Sequence, residues 1–134
     1  MIPFVGSPVF IHQGKDVSMV VRILSPPTED GKPGTLDFHT NVTVDSGTVV
    51  RADCPQTEYL FEEISMQVLL KTSMLSCVSK FRSALLGYWS RDPVGFTWNA
   101  AELTLVPNFG APIQLKFDMQ MTETSPYEMI GFLS

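Results

Sequence analysis

The sequence predicts a mainly β, single-domain protein: an antiparallel β-sandwich or small β-barrel of about seven strands, with one packed α-helix near residues 73–87. Three observations lead to this prediction. Apolar and polar residues alternate with a period of two over much of the chain, and Pro- and Gly-rich breakers separate the alternating segments. One segment alone keeps a helical period. No linker divides the 134 residues, so residues 1–134 are expected to form one domain.

The first strands are predicted to form two hairpins. Residues 9–12 and the β-branched run 17–24 are expected to pair across a polar turn. Residues 36–44 alternate, and residues 48–52 return after the turn residues Asp45, Ser46 and Gly47. The buried face of the third strand is predicted to carry Leu36, Phe38, Val42 and Val44.

In the second half, residues 64–70 alternate with apolar residues at 64, 66, 68 and 70, which predicts a further strand. Residues 101–106 are expected to pair with residues 113–121 across a Pro- and Gly-containing turn. The last strand has the clearest alternation in the sequence, because every odd position from 113 to 121 is apolar and every even one is polar.

The helix is predicted from spacings of four and three residues. Ser73 is a suitable N-cap, and Gly87 is suited to a left-handed helix exit. Between these two residues the pattern predicts one helix of about three to four turns. The predicted apolar face consists of Met74, Val78, Phe81, Leu85 and Tyr88.

The charge balance argues against a nucleic-acid-binding role. Nine Lys and Arg residues face fourteen Asp and Glu residues, which gives a formal net charge of −5. A binder of phosphate backbones needs an excess of cations, so we expect no direct sequence-specific nucleic-acid binding. No apolar run is long enough for a transmembrane helix and the N-terminus lacks a basic signal region, so we expect no membrane insertion and a virion or cytoplasmic location.

The sequence offers little catalytic chemistry, so we expect no enzymatic activity, no cofactor and no metal site. His12, His39, Cys54 and Cys77 show no metal-binding spacing. A polar strand face could supply ligands or a base with its orienting group, although a solvated face explains the same alternation; it consists of Asp37, His39, Asn41 and Thr43. Without a secretion signal, two free thiols are favoured over a 54–77 bridge.

The most unusual segment is the aromatic stretch, residues 88–98. Its composition of Trp, Tyr and Arg is typical of protein-binding hot spots. Three interpretations stay open: the rings complete the core, they contact another protein, or they form a ligand platform. The candidate binding residues are Tyr88, Trp89, Arg91, Phe96 and Trp98.

The terminal segments, about residues 1–8 and 125–134, are apolar where chain ends are usually polar. Their candidate interface residues are Phe4, Tyr127 and Phe132. Together with the aromatic stretch they favour a structural or assembly subunit that forms a homo-oligomer or larger particle, such as a virus or phage capsid, protrusion or tail-tube component. The alternative is a monomeric module that binds a glycan, peptide or small ligand through the aromatic stretch.

Overall fold

A computed structural model of the chain describes residues 4, 6–43, 46–71, 77, 95–108 and 113–118. In these residues eight antiparallel strands close into a barrel, in which each strand pairs with the next and β8 pairs with β1. The strands are β1 Val9–Gln13, β2 Val17–Ser25, β3 Gly34–Thr43, β4 Val49–Glu62, β5 Gln67–Leu70, β6 Gly95–Asn99, β7 Thr104–Pro107 and β8 Leu115–Phe117.

The mainly β prediction is confirmed, and the barrel is the form that the strands take. The three predicted hairpins, β1–β2, β3–β4 and β7–β8, are all present. Eight strands replace the expected seven or so. The predicted helix at 73–87 lies outside the described residues, except that Cys77 has helical backbone. Residues 119–121 of the last predicted strand also lie outside them.

Several strand boundaries differ from the prediction, including the starts of β7 and β8, and two of the differences have identifiable reasons. β4 does not stop at residue 52 but continues through Pro55 to Glu62, because its register with β3 shifts between Leu36 and Phe38. The shift places Pro55, which has no amide hydrogen, and Gln56, at a φ of 51°, in a β-bulge. β5 begins at Gln67 rather than at residue 64, because the preceding residues form the β4–β5 turn.

Strand β6 was not expected as a strand. Its five residues alternate inward and outward, with Phe96 and Trp98 buried and Thr97 between them half-buried. It pairs with β5 on one side and β7 on the other. Phe96 and Trp98 of the aromatic stretch therefore belong to a barrel strand.

The core lies inside the barrel and follows from the alternation. On β3, Leu36, Phe38, Thr40 and Val42 point inward and are buried, as the period of two predicts. Inward residues from the other strands meet them. The largest fully buried side chains are Tyr59, Phe10, Phe38, Phe96, Met19, Ile23, Leu36, Leu105 and Leu115.

The meander gives the barrel two distinct ends. The connections 26–33, 63–66 and 100–103 lie at the end where β1 begins, which we call the entry end. The connection 14–16, residues 46–48, the end of β5, the start of β6, the end of β7 and the start of β8 lie at the opposite end, which we call the far end. Each loop is therefore assigned to one end by the strand order alone.

Candidate functional site

The interior of the barrel is occupied by the protein's own side chains. Phe4 packs edge to face on Trp98, with ring centroids 5.3 Å apart, and on Phe10 at 5.9 Å. It also contacts Tyr59 and Phe61 in the same geometry. An eight-stranded barrel has an interior just wide enough either to be filled by side chains or to hold one small ligand. Among the described residues, the aromatic packing around Phe4 corresponds to the first case.

Tyr59 is a titratable group inside the barrel. Its hydroxyl donates a hydrogen bond to the carbonyl oxygen of Ser25 over 3.1 Å. Burial disfavours the phenolate and raises the pKa of Tyr59 well above its usual range. The phenol therefore stays protonated at neutral pH and acts as a core hydrogen-bond donor rather than as a base.

Asp37, on the polar face of β3, has a structural contact. Its Oδ1 accepts a hydrogen bond from the backbone amide of Gln56 over 2.6 Å, at the β-bulge. A carboxylate that accepts an amide hydrogen makes a charge-assisted bond, which is stronger than a neutral one. Asp37 thus holds the irregular part of β4 against β3.

His39 and Asp53 lie opposite each other on β3 and β4, two residues further toward the far end. Nδ1 of His39 is 2.7 Å from Oδ1 of Asp53, and the two side chains are 45% and 66% exposed. The pair has the arrangement of a base and its orienting group, but catalysis also needs a nucleophile or a bound substrate beside the imidazole. The neighbouring Cys54 points into the core. We interpret the pair as an exposed cross-strand contact.

These two aspartates give a matched prediction. Asp37→Ala should lower the free energy of unfolding by about 1–2 kcal/mol, because it removes a charge-assisted bond to the bulge. Asp53→Ala should change it by about 0.5 kcal/mol or less, because exposed ion pairs contribute little. Urea denaturation of both variants tests this. Equal losses would mean that the bulge does not depend on Asp37.

The polar face does not assemble a metal site within the described ranges. Asn41 and Thr43 follow His39 along β3 toward its end. Across the described residues no group of three or more His, Cys, Asp and Glu side chains is placed to hold a metal ion. The solvated-face interpretation thus fits the geometry of Asp37, His39, Asn41 and Thr43 best.

The two cysteines are joined, which corrects the expectation of free thiols. Cys54 and Cys77 form a disulfide with their Cα atoms 5.6 Å apart. Cys54 is fully buried in β4. The pairing could not be predicted from the sequence, because the two cysteines are 23 residues apart and meet only in the folded chain. A bonded thiol is not a nucleophile.

The disulfide leads to a stability prediction. Cys77→Ser should lower the free energy of unfolding by about 3 kcal/mol, since a bridge closing a loop of this length restricts the unfolded chain by roughly that amount. Denaturant unfolding of the oxidised wild type and the variant measures the difference. Thiol titration of the denatured wild type is the control and should find no free thiol. Two reactive thiols per chain would contradict the bridge.

Three of the sequence-predicted interface residues lie in the barrel core. Phe4, Phe96 and Trp98 are 3%, 0% and 4% exposed. These side chains do not themselves present a surface to a partner, and their placement agrees with the interpretation that the rings complete the core. The other candidates lie outside the described residues and their role stays a prediction: Tyr88, Trp89, Arg91, Tyr127 and Phe132.

The outer surface carries an apolar feature that the sequence analysis did not recognise. Ile64, in the turn between β4 and β5, is 97% exposed, while Met66 is 42% and Leu60 38% exposed. We call these three residues the apolar tip. The backbone amide of Trp98 donates to the carbonyl oxygen of Met66 over 2.7 Å, which ties the turn to β6. The alternation at 64, 66, 68 and 70 had suggested that the first two positions were buried.

The tip lies among acidic side chains. Glu62 at the end of β4 and Glu63 in the turn are exposed, and Glu102 is exposed in the neighbouring β6–β7 turn. The β2–β3 loop at this end adds Glu29 and Asp30. An exposed apolar group with charged surroundings is typical of a protein contact.

No protein family, no curated protein and no solved structure matches this chain. Among the described residues, no helix is long and apolar enough to cross a membrane.

Proposed function

We propose that the protein is a non-enzymatic structural subunit that associates with further copies of itself. The observation that carries this proposal is the apolar tip, where Ile64 is almost fully exposed. Covering one such side chain stabilises a complex by about 1.5–3 kcal/mol. An apolar side chain held on an ordered turn is a suitable anchor for a protein contact, since little conformational freedom is lost on binding.

The fold favours a function that is carried out by the outer surface of the barrel. Its interior is filled by aromatic and aliphatic side chains, and Tyr59 is held as a protonated hydrogen-bond donor. The His39–Asp53 pair lies in solvent rather than in a cleft with other reactive groups. These features favour a scaffold with a contact surface over an enzyme.

The sequence adds further candidates for the contact. Trp and Tyr anchors and an Arg dominate the energetics of many interfaces. Tyr88, Trp89 and Arg91 remain predicted contact residues, as do Tyr127 and Phe132. The acidic net charge favours a shell, protrusion or tail-tube component of a virus or phage particle over a subunit that packages nucleic acid.

The tip is tested by substitution. Ile64→Ser combined with Met66→Ser should shift the protein toward monomer in sedimentation velocity, because it removes apolar surface from the contact. The exposed Lys116→Ser on the side of the barrel is the control and should leave the distribution unchanged. Circular dichroism should show the same β signal in all three proteins. An unchanged oligomer in the double variant would contradict a role for the tip.

The predicted anchors outside the described residues are tested in the same way. Trp89→Ala, Arg91→Ala or deletion of residues 127–134 should each weaken association, by more than about 2 kcal/mol for a hot-spot residue, while the fold persists. A soluble monomer that still binds a glycan or peptide would favour the alternative of a binding module. Unfolding on deletion would place the segment in the domain's own core.

A further inference from the structure

The charges of the protein are distributed unevenly between the two ends of the barrel. Five acidic residues lie in or beside the described connections at the entry end, against the single cation Lys32; they are Glu29, Asp30, Glu62, Glu63 and Glu102. In or beside the described parts of the β1–β2 and β3–β4 connections at the far end, the charges are Lys15 and Arg51 against Asp16. Most of the net negative charge of the described residues therefore lies at the entry end.

The charges on the side of the barrel largely offset each other. Lys71 forms an ion pair with Glu58 at 3.4 Å. Arg22 lies opposite Asp37 in the β2–β3 register. The charges on the side of the barrel therefore do not cancel the difference in charge between the entry end and the far end.

Each end also has exposed apolar surface. The entry end carries the apolar tip, and the far end carries Val49, which is 52% exposed at the start of β4. Lys15 and Arg51 are exposed near Val49, because Thr43 pairs with Val49 and donates its amide to the carbonyl oxygen of Asp16. The entry end thus presents apolar side chains beside acidic ones, and the far end presents an apolar side chain beside basic ones.

We propose that copies of this chain associate head to tail, with the entry end of one barrel docked on the far end of the next. The proposal rests on the proposed function and specifies which surfaces meet. Ile64 and Met66 would pack near Val49 of the next copy, while Glu62 and Glu102 face Lys15 and Arg51. Such a contact joins two different surfaces, so it repeats along an open filament or closes into a ring.

Charge complementarity selects this arrangement over contact between two entry ends. An entry-to-entry contact would bring five acidic residues of one copy against the same five of another, at short range and with few cations between them. Like charges in such proximity repel, and the repulsion grows as water is excluded. The head-to-tail contact instead brings opposite charges together while it covers the same apolar tip.

The salt dependence of association distinguishes the head-to-tail from the entry-to-entry arrangement in the wild-type protein. Screening shortens the range of charge interactions from about 10 Å at 0.1 M to about 3 Å at 1 M salt. Head-to-tail association should weaken at least several-fold between these concentrations, as measured by sedimentation equilibrium. Entry-to-entry association should strengthen instead, and this result would overturn the proposal.

Charge reversal provides the decisive test in the full-length chain. The entry-end variant carries Glu62→Lys and Glu102→Lys, and the far-end variant carries Lys15→Glu and Arg51→Glu. All four side chains are exposed, so we expect the β signal in circular dichroism to persist. Each variant alone should associate at least tenfold more weakly than the wild type, because the two reversed positions then face charges of the same sign across the head-to-tail contact.

Mixing the two variants should restore association, since the reversed entry-end positions of one variant then face the reversed far-end positions of the other, which carry the opposite charge. Gln56→Lys, which adds a cation to the side of the barrel, is the control and should associate like the wild type. Oligomers that form equally well in either variant alone, or that the mixture fails to restore, would overturn the head-to-tail contact while leaving self-association intact. A wild-type chain that stays monomeric in every salt would instead contradict the proposed function itself.

Discussion

Trp98→Ala is expected to lower the free energy of unfolding by about 3–5 kcal/mol, the usual cost of removing a large buried aromatic side chain. Trp98 is 4% exposed in β6 and contacts Phe4 at 5.3 Å and Phe10 at 5.5 Å between ring centroids. Its removal leaves a cavity where β6, Phe10 of β1 and the N-terminal Phe4 meet. Guanidinium denaturation, monitored by circular dichroism, measures the loss.

The control for this prediction is Val106→Ala on the adjacent strand β7. Val106 points outward and is half-buried, so we expect it to cost about 1 kcal/mol or less. Both variants are compared at one protein concentration, because association would otherwise add to the apparent stability. A Trp98→Ala protein as stable as Val106→Ala would mean that Trp98 is not part of the core and would reopen its interpretation as a surface anchor.

Gly95→Ala is expected to cost about 3 kcal/mol or more, because β5 and β6 could no longer keep their separation. A Cβ at Gly95 would overlap the carbonyl oxygen of Val68 and lie 3.0 Å from its carbonyl carbon. Both are backbone atoms, so no side-chain rotation relieves the overlap. Hydrogen exchange should then show faster exchange of β5 and β6 amides, and thermal unfolding should occur at a lower temperature.

Gly31→Ala separates this effect from the general cost of replacing glycine. Gly31 has a φ of 92°, and a Cβ there would meet nothing within 4 Å. The substitution should therefore cost only the backbone strain, about 1 kcal/mol. Equal losses at the two positions would contradict the close approach of β6 to β5.

Alternation predicted most of the barrel because it depends on one physical fact, that successive side chains of a strand point to opposite faces. β3 illustrates this, since Leu36, Phe38 and Val42 were placed on the buried face and are buried. The number of strands was harder to predict. β6 has only five residues, and its aromatic side chains were also compatible with a surface role.

Two features of the surface depend on tertiary pairing that the sequence does not display. The bulge at Gln56 follows from the register between β3 and β4. From the local sequence alone, Pro55 predicts the end of a strand. Ile64 and Met66 belong to the same alternation as Val68 and Leu70, but they lie in the β4–β5 turn, which precedes the first residue of β5. Because they lie in the turn rather than in the strand, these two apolar side chains are exposed and form part of the apolar tip.

The disulfide shows the same dependence on long-range structure. Local spacing gave no reason to pair Cys54 with Cys77, and the compartment argument favoured free thiols. In the barrel, the buried Cys54 on β4 comes within bonding distance of Cys77, which lies far along the chain. The acid-rich entry end was likewise not visible in the sequence, because its charges come from three separate connections.

The molar mass of the wild-type chain in solution tests the central claim most directly. Light scattering over a range of protein concentrations, at low salt, should give a mass that rises well above the 14.9 kDa of one chain, because the apolar tip is covered by another copy. The Ile64→Ser and Met66→Ser double variant should remain closer to that value. A wild-type mass of one chain at every concentration would contradict self-association as the function of this protein.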